Sequence, residues 1–335
     1  MRFVLSDDQR DFASSLDSLL ASSDTVSVAR AWADGDSAPG LKLWSRLAEQ
    51  GVNALVVPEG SGGMGASPVE LAIAFELLGK HAVPGPWVES AAYLPLALGD
   101  AATVEALAEG AIGTVAAPPH VPYALDADVA DRVFLAADGV LSAATAGGLT
   151  RSVDGARRLF PVTAGSTFVE LVETKAEAAF DLAVLATSAQ LLGLGERILA
   201  DTVTYAKQRR QFGREIGSYQ AIKHQLADVR IALDFARPLV QGAALVSSTR
   251  STAESSTAST NDRARDVSAA KVACADAAYL ASRTGLQVHG AIGYTQEFEL
   301  SLWITKVRAL VTAWGTPAFH RGRVLRSLVE TDGER

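Results

Sequence analysis

The chain has 335 residues, of which 48% are hydrophobic and 20% are charged, and its formal net charge at pH 7 is −8. A chain of this length and composition can bury a large core and has room for two or three structural units. The negative charge argues against a protein that wraps a nucleic-acid backbone, because its overall field repels phosphate at long range.

The cysteine content and the hydropathy bear on the cellular compartment. Cys274 is the single cysteine, so no internal disulfide can form, and its Ala-rich helical surroundings predict a small buried core residue. The N-terminus lacks a basic region followed by an apolar run, and no stretch approaches the roughly 18 uninterrupted apolar residues of a membrane span. We therefore predict a cytoplasmic protein without a membrane-spanning segment.

The N-terminal third of the sequence is predicted to be helical. Ser6 and Gln9 have the spacing of a capping box, and apolar residues then recur at helical period, which predicts an opening amphipathic helix. Residues 43–50 and 69–82 show the same period. The segment 58–67 between them holds four glycines and a proline, so we predict a loop there.

Near residue 112 the sequence pattern changes from helical to short β-like segments, and after residue 176 it becomes helical again. Turn signals of Pro, Gly and Asp separate the β-like pieces, which predicts a small middle β domain. The later helices are predicted at 181–209, 218–246, 262–288, 297–311 and 318–330. Between the second and third, the Ser/Thr-rich stretch 247–262 is too polar to pack and is predicted to be a solvated or partly disordered loop. The predicted fold is mainly α, with domains at 1–111, 112–176 and 177–335.

A basic cluster interrupts the C-terminal helical region of this acidic chain. Arg209, Arg210 and Arg214 flank a turn at Phe212-Gly213, and the next helix is predicted to start near Ser218. Exposed amides and the dipole at a helix start favour an anion. Arginines also gather at helix C-termini without binding anything, and the charge pattern by itself favours that second interpretation.

Three blocks of the sequence resemble the acyl-CoA dehydrogenase family in the family's order. RRQFGREIGSYQAIKHQLAD resembles its Arg-x-Gln-Phe-Gly signature with the following Gln and Leu-Ala-Asp, and AAKVACADAAYLASRTGLQVHGAIGYTQEFEL is similar to its Gln-x-x-Gly-Gly-x-Gly-Tyr-Thr segment. LWSRLAEQGVNALVVPEGSGGMGAS is similar to its N-terminal block. The resemblance implies an N-terminal helical domain, a middle β domain and a C-terminal four-helix bundle.

The resemblance also implies a cofactor, FAD, at a subunit interface. It assigns contacts with the pyrophosphate and adenosine of a neighbouring subunit's FAD to Arg209, Gln211, Phe212 and Gln220, and the lining of the same half of the cofactor to Gln287, Gly290, Ala291 and Gly293. An arginine fork and glycines that allow close backbone approach suit a diphosphate. The family has a second glycine where this chain has Ala291. His289 is interpreted as a packed interior or interface residue.

The chain departs from the family where the resemblance would place the catalytic base. Family members remove the α proton of an acyl-CoA with a glutamate that lies just before a Gly-Thr, and Trp314 occupies that place here. A minority of relatives carry the base on the first bundle helix, where the matching residue is Ala183. Three other acids, Glu196, Glu297 and Glu299, are interpreted as surface or ion-pair residues. The strands that cover the flavin in the family also have no counterpart between residues 112 and 176.

These features predict a degenerate subunit of a heteromeric enzyme. The chain resembles the non-base-bearing subunit of actinobacterial steroid side-chain acyl-CoA dehydrogenases, which implies an α2β2 assembly with a homologous partner, an acyl-CoA substrate and electron-transfer flavoprotein as the acceptor. Two alternatives stay open. One is a homomeric dehydrogenase with a displaced base, and the other is a flavin-free scaffold or non-redox protein on the same fold.

Overall fold

A computed structural model of the chain describes residues 4–170, 173–248, 257–295 and 298–333. The N-terminal part consists of short helices with 3-10 turns between them. Its α-helices are α1 (Asp7–Ala21), α2 (Thr25–Ala33), α3 (Ala38–Glu49), α4 (Pro68–Lys80), α5 (Leu94–Ala97) and α6 (Ala101–Ala108). The predicted loop at 58–67 holds only a single 3-10 turn, Glu59–Ser61. A π-helical turn, Glu89–Tyr93, leads directly into α5.

Helix α1 begins where the sequence predicts. The Ser6 side chain accepts from the Gln9 backbone, while the Gln9 side chain accepts from the Ser6 backbone, so both hydrogen bonds of the capping box are present. Each satisfies an amide that a helix start otherwise leaves unpaired. Leu16 and Leu20 on this helix are buried in the core. The prediction for the first helix is confirmed.

The middle of the chain forms a small sheet. Its strands are β1 (Gly113–Ala116), β2 (Ala124–Leu125), β3 (Arg132–Ala137), β4 (Val140–Ala146), β5 (Leu159–Phe160) and β6 (Val162–Glu170). Four of them are ordered β1-β3-β4-β6, with β1 parallel to β3 and the other pairs antiparallel. Asp138 and Gly139 both have positive φ, which suits the two-residue hairpin between β3 and β4. The predicted β region is therefore confirmed.

The C-terminal part is a helical bundle, as the resemblance implies. It comprises α7 (Glu173–Gln208), α8 (Gln220–Ser248), α9 (Thr257–His289), α10 (Leu300–Leu310) and α11 (Pro317–Gly333), with the short strands β7 (Arg210–Gln211) and β8 (Arg214–Glu215) between α7 and α8. Helices α7 and α9 pack along each other, and α8, α10 and α11 contact them. Cys274 is fully buried in this bundle, as predicted.

Two glycines let α4 approach α7 closely. A Cβ atom on Gly193 would lie 1.8 Å from the Glu76 carbonyl oxygen, and one on Gly79 would lie 2.1 Å from that of Gln190. Such distances exclude any side chain at either position without a backbone shift. The close contact joins the N-terminal helices to the bundle, so one continuous set of buried side chains runs from Leu16 to Trp314.

Two predicted helix starts are wrong. Helix α7 begins at residue 173 rather than 181, because good helix formers such as Ala, Glu and Lys continue N-terminal to the apolar run that marked its start. Helix α9 begins at Thr257, inside the stretch predicted to be a loop. A polar sequence does not end a helix when the following turns are anchored by packing. The rest of that predicted loop, 249–256, lies outside the described residues.

Among the residues that the structure describes, one helix is long and apolar enough to cross a membrane by length and composition. It covers Lys175–Gln208, and 89% of its most apolar window is buried inside the protein. That burial is typical of the central helix of a bundle, since lipid-facing helices expose their apolar surface. We therefore interpret α7 as a core helix.

Candidate functional site

The basic cluster lies in a tight hairpin rather than at a simple helix end. After α7 ends at Gln208, β7 and β8 pair across a turn at Phe212 and Gly213, which both have positive φ. The Ile216 amide donates to the Arg209 carbonyl at 2.8 Å and closes the hairpin base. A 3-10 turn then precedes α8, which begins at Gln220 rather than near Ser218. The hairpin projects the cluster away from the bundle.

The side chains that the resemblance assigns to FAD in this segment all face outward. Arg209, Gln211, Phe212 and Gln220 are exposed. Phe212 is 92% exposed, which is unusual for a large apolar side chain beside a charged one. Arg209 forms no ion pair with any other described residue. An unpaired guanidinium next to an exposed aromatic ring suits a planar anionic ligand or a partner surface.

The second block lies beside the first. Helix α9 ends at His289, and a 3-10 turn covers Gly290–Tyr294. The rings of His289 and Tyr205 stack with centroids 4.2 Å apart, which joins the ends of α9 and α7. His289 is 5% exposed and its Nδ1 donates to the Gly285 carbonyl at 2.8 Å. Its predicted role as a packed residue is confirmed.

The four residues of this second block differ in exposure. Gln287 and Ala291 are exposed, Gly290 is half-buried and Gly293 is buried. Gly290 has φ +63, and a Cβ atom there would meet nothing within 4 Å, so the backbone is open to approach from outside. These residues and the hairpin together fit one half of an extended dinucleotide, with a cation, an aromatic ring and accessible backbone.

Both positions where the resemblance would place a catalytic base are buried. Trp314 is 1% exposed, and Ala183 is fully buried in α7. The Trp314 ring lies 5.0 Å from the ring of Tyr93 and 6.1 Å from that of Phe180. The following Gly315 has φ +103, and a Cβ atom there would lie 2.6 Å from the His320 ring. The turn thus holds the indole in a fixed, packed position.

A buried carboxyl that sequence reasoning missed lies next to Trp314. Glu89 belongs to the π-helical turn, is 1% exposed, and its Oε2 atom has no hydrogen-bond partner among the described residues. Burial raises the pKa of Glu89, while the charge of Arg157 and a hydrogen bond from the Trp314 side chain oppose that rise. In the sequence, Glu89 is only a glutamate within an apolar run, because no sequence pattern predicts the π-helical turn.

Polar side chains beneath the Trp314 turn fix its backbone. His320 Nε2 donates to the Trp314 carbonyl at 2.9 Å, and its Nδ1 accepts from Ser268 at 3.1 Å. Burial lowers the pKa of His320 to about 3, so this imidazole is neutral near pH 7. Lys271, fully buried, donates to the Leu310 carbonyl at the end of α10 at 2.6 Å. The turn is therefore tied to α9 on two sides.

Lys271 is expected to make the stability of the chain pH-dependent. Burial lowers its pKa to about 7 from an ordinary value of 10.5, so between these values the unfolded chain binds more protons than the folded one. The free energy of unfolding therefore rises with pH across this window, by at most about 1.4 kcal/mol per pH unit for one proton. Lys271→Met should flatten that slope in denaturant titrations between pH 7 and 9. Exposed Lys223→Met serves as the control, and equal slopes in all three proteins would contradict the expectation.

Glu196 is an ion-pair residue, as predicted. Its carboxylate accepts from Arg230 at 2.7 Å and from Arg237 at 2.8 Å, and Arg237 also binds Glu76. These contacts tie α7 to α8 and α4, and the hydrogen bonds of the two arginines lower the pKa of Glu196 against the effect of burial. Glu299 is exposed just before α10. Glu297 lies outside the described residues.

A cavity of about 450 Å³ lies beside the part of α7 that precedes Ala183. Its apolar wall includes Ala178 and Leu182 of α7 and Leu96 of α5. Polar groups at its edge include Ser247 and Arg263, and Arg263 forms an ion pair with the buried Asp181 at 2.9 Å. A mostly apolar cavity with a few polar groups is typical of a small-molecule site. The sequence did not indicate it, because its wall combines residues of α5, α7, α8, α9 and the loop before α4.

The fold combines N-terminal helices, a small middle sheet and a C-terminal helical bundle, and an exposed basic hairpin lies on that bundle. This arrangement is typical of a mainly helical class of flavoprotein oxidoreductases. Residues 6–107 match the family model described as acyl-CoA dehydrogenase, N-terminal domain, and residues 174–329 match the C-terminal domain of the same family. The chain therefore belongs to the acyl-CoA dehydrogenase family, whose members are FAD-binding oxidoreductases that act on CH–CH bonds.

Relatives and solved structures agree with this membership. The chain is 33% identical over 289 residues to acyl-CoA dehydrogenase IpdE2 of Mycolicibacterium smegmatis, covering 82% of this chain and 84% of that protein. It is 33% identical over 297 residues to IpdE2 of Mycobacterium tuberculosis, with 86% and 87% covered. The ChsE4-ChsE5 complex from Mycobacterium tuberculosis contains a chain with a TM-score of 0.80 and 22% identity, covering 98% of this chain and 99% of that one. At 22% identity this last likeness establishes the fold alone.

Proposed function

We propose that this chain is a subunit of an FAD-dependent acyl-CoA dehydrogenase and that a homologous partner supplies the catalytic glutamate. The observation that carries the proposal is the contrast between two places in the bundle. The surface around Arg209 and Phe212 is open and unpaired, whereas Trp314 and Ala183 are buried where a base would be needed. Such a chain can offer a cofactor-binding surface but no base of its own at either family position.

The residues of this chain would act by binding and orienting. Arg209 would hold the diphosphate through charge-assisted hydrogen bonds, with Gln211, Phe212 and Gln220 against the adenosine half, and Gln287 to Gly293 beside it. FAD held by these residues would supply the hydride acceptor for desaturation of the acyl-CoA. The partner's glutamate would take the α proton. Electron-transfer flavoprotein is the proposed acceptor, and two copies of each subunit would form an α2β2 assembly in the cytoplasm.

The proposed substrate is an acyl-CoA whose acyl group is bulky, as a steroid-type side chain is. The 33% identity to IpdE2 and the ChsE4-ChsE5 fold support a dehydrogenase of this type, as an analogy between relatives. The cavity beside Ala183 has about 450 Å³ available, within the range of small-molecule sites. The proposed three-domain division at residues 111 and 176 would place this cavity between the N-terminal helices and the bundle.

A second candidate is a homomeric dehydrogenase with a displaced base, and Glu89 is the observation that favours it. The carboxyl is buried beside Trp314 and has an unpartnered oxygen. A raised pKa is one property of a general base or acid in an active site. Buried structural carboxyls share that property, and Glu89 lies behind the packed indole. We therefore favour the heteromeric proposal.

Glu89→Gln separates the two candidates. A general base contributes about 10²- to 10⁴-fold, so a displaced base would lose that factor, whereas we expect the activity of the mixed complex to be unchanged. Burial raises the pKa of Glu89, so its stabilising contribution is present below about pH 4.5 and is lost as the pH rises. The variant should therefore unfold at a higher temperature than the wild type at pH 7 but not at pH 4. Exposed Glu109→Gln is the charge-matched control.

The proposed function is tested by co-expression with a homologous subunit that carries the glutamate, followed by flavin quantitation and an acyl-CoA oxidation assay. The third possibility, a flavin-free scaffold, predicts a colourless protein in every pairing. Colour in the mixed complex alone supports the proposal.

A further inference from the structure

A groove beside Trp314 is lined by two arginines that do not belong to the proposed FAD surface. It has a volume of about 310 Å³ and lies between the turn that precedes β5 and the end of α10. Arg157, in the turn before β5, and Arg308, on α10, both line it, and so does Trp314. We call it the Arg157–Arg308 groove. Its volume is at the lower end of the range for small-molecule sites, about 300–1,000 Å³.

The lining of this groove is cationic in a chain of net charge −8. No Asp or Glu occurs among the described residues that line it. The neighbouring Arg158 differs, because it is buried and forms ion pairs with Asp126 and Asp128. No such carboxylate pairs with Arg157 or Arg308 among the described residues, and the Arg308 guanidinium only lies over the Tyr279 ring at 5.2 Å. Two arginines without a carboxylate partner among the described residues therefore line one concave space.

Neutral hydrogen-bonding groups accompany the two arginines. The hydroxyl-bearing side chains of Tyr123, Ser152 and Thr312 line the same space, together with apolar side chains such as Val153 and Leu159. Hydroxyls and guanidinium groups donate to oxyanions, and the apolar side chains would contact an apolar part of the ligand. The charge of Arg157 also acts on two buried carboxyl groups, Glu89 and Asp126, but Arg157 forms an ion pair with neither of them among the described residues.

The geometry points to a binding site for an oxyanion, a carboxylate or a phosphate ester carried on a small apolar body, in the Arg157–Arg308 groove. Arg157 and Arg308 would each donate to its oxygens from opposite walls, with the hydroxyl groups completing the shell. The site is separate from the surface around Arg209, and it does not depend on flavin or on a partner subunit.

Isothermal titration of the full-length isolated chain tests this site, with succinate, inorganic pyrophosphate and coenzyme A as probes. Saturable binding of succinate alone identifies a carboxylate as the ligand, whereas binding of pyrophosphate or coenzyme A identifies a phosphate source. Arg308→Gln and Arg157→Gln should each weaken the bound probe about tenfold, while exposed Arg326→Gln should not change its affinity. Circular dichroism melts check that each variant is folded.

Two outcomes would overturn the assignment. One is the absence of saturable binding of any probe at ~10 mM. The other is a binding isotherm that Arg308→Gln, folded as judged by its melt, leaves unaltered. Probe binding that survives Arg308→Gln but is lost in Arg209→Ala is assigned to the proposed FAD surface and not to the groove. The flavin content of the mixed complex tests that surface separately, so the two proposals can fail independently.

Discussion

Purified alone, the chain is expected to contain little FAD and to oxidise no acyl-CoA, whereas the complex with a glutamate-bearing homologue should be yellow and active. The physical reason is that the proposed hairpin surface at Arg209 would supply only one half of a cofactor site, while Trp314 and Ala183 carry no carboxylate. Loss of a general base alone costs about 10²- to 10⁴-fold in rate, and loss of cofactor binding adds to it. We therefore expect the activities of the isolated chain and of the complex to differ by at least ~10³-fold.

The measurement is the flavin absorbance per polypeptide, together with the rate of dye reduction by acyl-CoA. A partner in which the catalytic glutamate is replaced by glutamine provides the matched control, since it should keep the flavin and lose the activity. Stoichiometric FAD and steady turnover in the isolated chain would contradict the heteromeric proposal and support the homomeric candidate.

Arg209→Ala is expected to weaken FAD binding by the mixed complex by at least tenfold. The Arg209 guanidinium has no ion-pair partner among the described residues, so it is available for the diphosphate. A hydrogen bond to a charged group contributes about 1.5–3 kcal/mol, and each 1.4 kcal/mol is about a decade in affinity. Arg209→Lys should restore only part of the loss, because an ammonium keeps the charge but not the two-pronged geometry.

Cofactor titration of the assembled complex measures this effect, and the hairpin supplies its own control. Arg210 is one residue away, yet its guanidinium donates to the Gly213 carbonyl at 3.4 Å, so Arg210→Ala should change FAD affinity much less. Assembly should survive both changes, because exposed apolar side chains at helical spacing on α8, Ile231, Phe235 and Leu239, offer a larger contact surface. An FAD affinity unchanged by Arg209→Ala would identify the cluster as a solvated hairpin that does not bind the cofactor.

Local signals in the sequence predicted much of the fold. The capping box at Ser6 and Gln9, the apolar period of the long helices and the turn residues between the strands each act over a few positions, and the structure contains all three. The turn at Phe212-Gly213 is likewise visible as a dipeptide. Boundaries were less predictable, because packing extends α7 and α9 beyond their apolar runs. The domain division at 111 and 176 stays a prediction.

The sequence by itself determined the family, and it places Trp314 and Ala183 where the resemblance expects a base, since these depend on which side chain stands at which place in a motif. The residues predicted to face the cofactor stay a prediction. Only the tertiary structure decided what surrounds them. Glu89 and Trp314 are far apart in the chain but adjacent in the core, and Arg157 and Arg308 come from different segments to face one groove. Burial and charge pairing depend on long-range contacts, and a pattern read along the chain does not contain those distances.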